Sequence, residues 1–127
     1  MTNEIGRVSW VDIAVPNAEK VRDFYSRVIG WTSKEHDMET YFDYEMKDPA
    51  TDETVAGVCH AQGMNAHLPP TWIVYFTVAN LDESLAGVSE MGGEVVGEVR
   101  GYGADRYAFV RDPAGAVCAL YQKGEKS

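Results

Sequence analysis

VDIAVPNAE at residues 11–19 and VYFTVANLD at residues 74–82 follow one pattern, and the second begins 63 residues after the first. In both stretches the side chains alternate as in a half-buried strand, and an asparagine follows, which is a favoured helix N-cap residue. The sequence therefore predicts, twice, a strand that runs through a short turn into a helix.

Later landmarks keep nearly the same offset. Gly30 follows the first predicted helix and Gly93 the second, while KDPA at residues 47–50 returns as RDPA at residues 111–114. Three landmarks in one order at nearly one spacing indicate a tandem duplication of a unit of roughly 60 residues. A unit of this size is close to the lower limit for folding alone, so the two units are expected to share one core within a single domain.

Each unit reads as β-α-β-β-β. In the first, strands are predicted at residues 8–15, 31–37, 41–47 and 54–61, with a helix from Asn17 to Gly30. In the second, strands are predicted at residues 72–78, 94–100, 106–111 and 116–122, with a helix that starts at Asn80 and stops at Gly92-Gly93. Module one then covers about residues 6–62, a linker rich in turn-forming residues about 63–70, and module two about 71–123.

Periodicity within these elements predicts which side chains are buried. Each helix carries an apolar stripe at helical spacing: Val21, Phe24, Tyr25 and Val28 in the first, and Leu81, Leu85 and Val88 in the second. Strand alternation places aliphatic residues under the helices and leaves the opposite sheet face to a second set. That second set is Trp10, Asp12, Gly57, Cys59, Ile73, Tyr75, Thr77, Val117, Ala119 and Tyr121. Such a surface is typical of a small-molecule pocket. The alternative is that the same aromatic residues pack against one another as part of the hydrophobic core.

Composition narrows the function classes. The 127 residues include 20 acidic and 11 basic side chains, for a formal net charge of -9. This balance argues against a surface for nucleic acid or anionic membrane, and it is compatible with a cationic ligand or simply with solubility. Residues 1–7 are polar, no run approaches the ~20 apolar residues of a membrane span, and two cysteines without a secretory signal predict a cytoplasmic protein.

Three features together resemble the vicinal oxygen chelate superfamily, which includes glyoxalase I, extradiol dioxygenases, fosfomycin-resistance enzymes and bleomycin-binding proteins. They are the duplicated β-α-β-β-β unit, the stretch FY at residues 24–25 followed by VIGW at 28–31, and DPAGA at residues 112–116 followed by a strand. The resemblance implies an α+β fold of two curved mixed sheets, with helices on the convex side and a concave ligand cleft. It also implies a homodimer.

The usual chemistry of that superfamily depends on a divalent metal held by His and Glu side chains from four strands. The matching positions here are Trp10, Gly57, Ile73 and Ala119, none of which can coordinate a metal through its side chain. No metal and no other cofactor is therefore expected. The alternative is a displaced site that uses His60 with Asp12 or Glu45; the other two histidines, His36 and His67, are not spaced to act together with it.

The candidate chemistry rests on Asp12 first. A carboxylate between two aliphatic residues on the face away from the helix must be solvated or paired, because burying it alone is costly. It could bind a ligand amine, orient a hydroxyl or act as a general base, or it could form a structural pair with Arg106 or Arg111. Tyr121, and with it Tyr75, could donate hydrogen bonds or protons.

Cys59 is predicted on the same face as Asp12, but a nucleophilic role would need a base or positive charge beside it.

Three hypotheses for the function follow. The first is a metal-independent protein that binds a small organic ligand in its cleft through Trp10, Asp12, Cys59, Ile73, Tyr75, Ala119 and Tyr121. The second is a glyoxalase-type lyase or isomerase, similar to lactoylglutathione lyase, that uses a displaced metal or Asp12 and Tyr121. The third is a non-catalytic dimeric interaction module.

Overall fold

The computed structural model describes residues 5–124, apart from the side chain of Met64, so most of the polar amino-terminal stretch lies outside the described residues. The elements of the first module are β1 (Val8–Val15), α1 (Ala18–Ile29), β2 (Thr32–Asp37), β3 (Phe42–Lys47) and β4 (Thr54–His60). A short 3-10 turn, Gly63–Asn65, lies in the predicted linker. The elements of the second module are β5 (Ile73–Thr77), α2 (Leu81–Glu90), β6 (Glu94–Tyr102), β7 (Asp105–Arg111) and β8 (Val117–Gln122).

The two modules repeat the same strand pairing. In the first, the order is β2-β3-β4-β1, with β1 parallel to β4 and the other neighbours antiparallel. In the second, the order is β5-β8-β7-β6, with β5 parallel to β8 and the other neighbours antiparallel. Parallel pairing of the first and last strand needs a long connection, which the helix and two intervening strands supply. The predicted α+β fold of two tandem β-α-β-β-β modules is confirmed.

Contacts within the chain define two compact units. One comprises residues 10–72, and the other comprises residues 73–124 together with residues 5–9 among those described. In the second unit the backbone N–H of Gly6 donates to the Thr77 carbonyl over 2.7 Å, and the N–H of Thr77 donates to the Arg7 carbonyl over 3.0 Å. Residues 6 and 7 therefore lie alongside the end of β5.

The helix ends follow the predicted caps. The Asn17 side chain accepts a hydrogen bond from the Lys20 N–H, and the Asn80 side chain accepts one from the Glu83 N–H. Each satisfies one of the N–H groups that a helix start leaves without a partner. Gly30 ends α1 in the left-handed conformation with φ of 98°, where a residue without a Cβ is favoured. Within residues 5–124, neither helix is long and apolar enough to cross a lipid bilayer.

The core of the first module lies between α1 and the sheet. Its buried members are Ile13, Val15, Ala18, Tyr44, Met46, Ala56 and Val58. The predicted stripe on α1 was partly wrong: Val21 and Tyr25 are half-buried, whereas Phe24 is 56% exposed and Val28 is 61% exposed. The helix meets the sheet through the side centred near Ala18, so the far side of a stripe that spans more than 100° remains in solvent.

Candidate functional site

Four of the predicted site residues share one face of the first-module sheet. Asp12 on β1 lies opposite Gly57 on β4. A Cβ atom at Gly57 would lie 3.1 Å from Asp12 Cβ, 3.4 Å from Trp10 Cζ2 and 3.8 Å from Cys59 Sγ. Residues two apart on a strand point the same way, which explains why these side chains meet on the face opposite α1.

Trp10 and Asp12 form a hydrogen bond on this face. The indole Nε1–H of Trp10 donates to Asp12 Oδ2 over 3.1 Å, and both residues are half-buried. The two arginines considered as partners for Asp12 have partners of their own within the second module. Arg106 pairs with Asp82 and Arg111 pairs with Glu94, each over 3.0 Å.

The Cys59 thiol lies among acidic groups. Burial raises its pKa above the ordinary value of 9.0, and the nearby carboxylates of Asp12 and Asp43 raise it further. The thiol is therefore protonated at neutral pH, which argues against the nucleophilic role considered from the sequence. Cys59 and Cys118 are both free thiols.

His60 lies on the opposite face of the same sheet. Its ring Nδ1 is 2.8 Å from the Phe42 carbonyl oxygen, and its Nε2 is 3.3 Å from Glu19 Oε1 at the start of α1. Asp12 and Glu45 project from the other face, because Glu45 lies opposite Gly57 in the β3–β4 register. The structure thus does not bring together the three residues of the displaced metal alternative.

The other histidines are also apart. His36 on β2 lies 3.5 Å from Glu45 Oε2, and His67 is exposed in the connection before β5. Across residues 5–124, no three His, Cys, Asp or Glu side chains are grouped so as to hold a metal ion.

The face of the second-module sheet opposite α2 centres on Ala119. Tyr75 on β5 and Phe109 on β7 flank this residue from the two neighbouring strands. Those two strands are separated by roughly 9.5 Å, twice the usual strand spacing. The Tyr75 and Phe109 rings are nevertheless only 5.8 Å apart, and Ala119 is fully buried. The two rings therefore lean together over Ala119, which its small side chain allows.

Two further rings complete this aromatic cluster, which consists of Tyr75, Tyr107, Phe109 and Tyr121. The Tyr107 and Tyr121 rings are 5.8 Å apart and inclined by 21°, and each is partly exposed. The Tyr121 hydroxyl donates to Asp105 Oδ2, and the Gly124 N–H donates to Asp105 Oδ1 over 2.6 Å. Asp105 thus ties the end of β8 to the start of β7.

The environment of Tyr121 keeps its phenol protonated. Burial raises the pKa of Tyr121 well above the ordinary value of 10.0, and the hydrogen bond to Asp105 raises it further. A phenol of this kind is a poor proton donor at neutral pH. The hydrogen bond to Asp105 also fixes the direction of the phenol hydroxyl, and the catalytic role of Tyr121 stays a prediction.

The remaining predicted residues of the second module are enclosed. Ile73 is fully buried, Val117 is half-buried, and Thr77 is 3% exposed with its Oγ1 bonded to no described group. An open depression of about 410 Å³ lies near Thr77, at the start of α2. It is lined by Ile5, Gly6, Phe76, Thr77, Val78, Ala79, Asn80, Glu83 and Ser84. Its Asn80 side chain already caps the helix, and apart from Thr77 it contains none of the predicted site residues.

The four positions that the resemblance predicts to correspond to metal ligands do not fit a metal ion. Trp10 offers an indole N–H that is a donor only, and Gly57 has no side chain and lies beneath the Trp10 ring. Ile73 and Ala119 are apolar and fully buried, and Ala119 is covered by aromatic rings. The available volume at two of these positions is thus filled by aromatic side chains.

Sequence reasoning missed Asp105, Tyr107 and Phe109. The signal was present in DRYAFVR, residues 105–111, where alternation puts these three residues on one face. The predicted strand began one residue late, at Arg106, so Asp105 was assigned to a turn. Arg100, whose guanidinium lies 4.6 Å from the centre of the Phe109 ring, was also missed.

Residues 7–120 match the family model for the Glyoxalase/Bleomycin resistance protein/Dioxygenase superfamily. The chain belongs to this superfamily. The resemblance expected from the duplicated unit and the two motifs is therefore confirmed over nearly the whole chain.

Curated relatives within the superfamily are longer. The anthracycline biosynthesis protein DnrV of Streptomyces peucetius is 31% identical over 94% of this chain and 48% of its own length. A protein of Mycobacterium tuberculosis that is provisionally named glyoxylase CFP32 is 27% identical over 92% of this chain and 46% of its own. The chain thus spans about half the length of the curated relatives it matches.

Solved structures support the fold. A methylmalonyl-CoA epimerase from Mycobacterium tuberculosis superposes with a TM-score of 0.58 at 17% identity, covering 98% of this chain and 93% of its own. A hypothetical protein, BH1468, from Bacillus halodurans superposes with a TM-score of 0.64 at 15% identity, covering 96% and 97%. At this level of identity the likeness concerns the superfamily fold alone.

Proposed function

We propose that this chain binds a small organic ligand that has an aromatic part, and that it does so without the divalent metal typical of its superfamily. The observation that carries the proposal is the aromatic cluster on the face of the second-module sheet opposite α2. Small-molecule sites are commonly lined by aromatic side chains with a few polar groups. Tyr107 and Tyr121 keep part of their rings exposed, and Asp105 lies beside them.

The first module carries a polar group of its own. Asp12 accepts a hydrogen bond from the Trp10 indole, and a carboxylate is the type of group that recognises a ligand hydroxyl or amine. The full proposed ligand-binding set keeps the residues expected from the sequence. These are Trp10, Asp12, Cys59, Ile73, Tyr75, Ala119 and Tyr121, of which Ile73 and Ala119 are fully buried. The concave cleft remains a prediction.

The names of two relatives support the ligand class. DnrV and DauV are both named as anthracycline biosynthesis proteins, and DauV of a Streptomyces strain is 29% identical. Anthracyclines combine a planar polycyclic ring system with an amino sugar. A planar ring system suits stacking on tyrosine, and a net charge of -9 favours a cationic ligand.

Ligand titration with metal control tests the proposal. The protein is dialysed against EDTA, its metal content is measured by mass spectrometry, and doxorubicin, a cationic anthracycline, is titrated by fluorescence and by thermal shift. Saturable binding with equal affinity in EDTA-treated and metal-supplemented protein is expected. Trp10→Phe and Tyr107→Ala should weaken binding, while Trp72→Phe, which alters a tryptophan bonded to Tyr25 near α1, should not. Absence of binding, or binding only after Zn²⁺, Ni²⁺ or Mn²⁺ is added, would overturn the proposal.

The glyoxalase-type alternative is favoured by the name of the mycobacterial relative CFP32. It would use Asp12 as the base, with Tyr121 orienting the substrate. The assay is conversion of the methylglyoxal–glutathione hemithioacetal by protein with and without added divalent metal. Turnover that is lost in Asp12→Asn would establish the alternative, and no turnover under both conditions would exclude it for this substrate.

We further propose that the chain forms a homodimer in the cytoplasm. Phe24, Val28 and Ile29 leave an apolar strip on α1 exposed, and strips of this kind commonly mark contact surfaces. Light scattering after size exclusion gives the mass directly. A dimer that persists when no ligand binds would support the third hypothesis, a non-catalytic interaction module.

A further inference from the structure

Resting on the proposed ligand-binding function, we infer that Asp105 and Tyr121, with the Tyr107 ring beside them, select the positively charged end of an aromatic ligand. Two features of this site point to a cation: the direction of the hydrogen bond between Tyr121 and Asp105, and the stacked rings of Tyr107 and Tyr121.

The hydrogen bond makes the Tyr121 oxygen an acceptor. The phenol proton is directed to Asp105 Oδ2, so only the lone pairs of the phenol oxygen remain for a ligand. The carboxylate is held in place from its other oxygen by the Gly124 N–H over 2.6 Å. A ligand group that donates hydrogen bonds, such as an ammonium, matches this arrangement, whereas a carbonyl or carboxylate does not.

The adjacent rings favour positive charge in the same place. The Tyr107 and Tyr121 rings are stacked across neighbouring strands, inclined by only 21° at a centroid distance of 5.8 Å, and both residues are partly exposed. Ring faces attract cations through the aromatic quadrupole. A phenol that donates to a carboxylate is more electron-rich than a free phenol, which strengthens this attraction at Tyr121.

Arg100 occupies the Phe109 ring. Its backbone lies opposite Tyr107 in the β6–β7 register, and its guanidinium lies 4.6 Å from the centre of the Phe109 ring. Phe109 is four residues from Asp105 along β7, so the guanidinium and the acidic group are at separate points of the cluster. A ligand ammonium therefore belongs at the Tyr121 oxygen beside Asp105.

A matched pair of probes tests the inference. Doxorubicin carries an ammonium group, and N-acetyldoxorubicin has the same ring system without the charge. The cationic form is expected to bind about fivefold to tenfold more tightly. Asp105→Asn and Tyr121→Phe should reduce this ratio to about twofold or less by weakening the cationic form, with little change for the neutral form. Tyr41→Phe, which removes a tyrosine hydroxyl in the first module, should leave the ratio unchanged.

The outcomes separate the two proposals. If neither probe binds, the proposed function fails, and the inference fails with it. If both probes bind wild-type protein equally, ligand binding stands and the charge selection is refuted. A ratio that persists in both variants also refutes it. Tyr121→Phe keeps the aromatic ring, and circular dichroism shows which variants are folded, so it decides the matter even if Asp105→Asn is unfolded.

Discussion

Trp10 covers Gly57: its Cζ2 atom lies 3.4 Å from the point that a Cβ at residue 57 would occupy. Gly57 is fully enclosed on this side, since Asp12 Cβ lies 3.1 Å from the same point. The large side chain on β1 and the missing side chain on β4 therefore complement each other in volume. This complementarity makes the pair at residues 10 and 57 interdependent.

Gly57→Ala should destabilise the protein by about 1–3 kcal/mol, because the added methyl group overpacks the contact with Asp12 and Trp10. In a Trp10→Ala background the cost should be smaller by at least about 0.5 kcal/mol. Wild type, the two single variants and the double variant form a double-mutant cycle. Urea unfolding of these four proteins measures the coupling energy between residues 10 and 57. Gly101→Ala is the control, because the nearest atom to its Cβ is 3.9 Å away, an ordinary contact. Additive effects at residues 10 and 57 would contradict the packing account.

Ala119→Glu should destabilise the protein by more than about 2 kcal/mol, because it puts a carboxylate at a fully buried position beneath the Tyr75 and Phe109 rings. Added Zn²⁺, Ni²⁺ or Mn²⁺ should not restore stability, since neighbouring strands supply no imidazole or carboxylate at the matching positions. The measurement is chemical unfolding with and without metal. Ala114→Glu, in the exposed turn after β7, should change stability by less than about 0.5 kcal/mol. Metal-dependent rescue of Ala119→Glu would show that a metal site is retained.

Stability should fall above about pH 9. In the folded protein burial raises the pKa of Cys59 above its ordinary value of 9.0, so the unfolded chain releases this proton first. The stabilisation is complete below pH 9.0 and is lost as the pH rises beyond it, by at most about 1.4 kcal/mol per pH unit for one group. Urea unfolding from pH 7 to 10.5 measures this slope. Cys59→Ala should reduce it, and a slope identical to wild type would rule out the assigned cause.

Gly124→Ala should lower the melting temperature, because its Cβ would collide with the Ala104 carbonyl group and displace the N–H that holds Asp105. Gly87→Ala offers the matched comparison. Gly87 lies inside α2 with nothing within 4 Å of its Cβ position, so alanine there should stabilise the protein by roughly 0.5–1 kcal/mol. Differential scanning calorimetry should thus give shifts of opposite sign. Two shifts of the same sign would disprove one of these assignments.

Helix α1 shows which features the sequence pattern predicts and which it does not. Its limits were predictable from Asn17 and Gly30, because caps act through the backbone within a few residues. Its buried face was predicted too broadly, since Phe24 and Val28 fit the apolar stripe yet remain exposed. Periodicity identifies the apolar residues that line one side of a helix. The curvature and position of the sheet decide how much of that apolar stripe is buried.

By itself the sequence determined the repeat, the order of the elements and the sheet face on which each strand residue lies. All three depend on local spacing and on side-chain alternation. Through the family resemblance, it also predicted that Trp10, Gly57, Ile73 and Ala119 stand where metal ligands are usual. Only the tertiary structure decided which side chains pack around those four positions. Strand register brings Trp10 over Gly57, and it brings Tyr75 and Phe109 together over Ala119 from strands far apart in the chain. Contacts of this kind depend on long-range pairing, which local pattern does not encode.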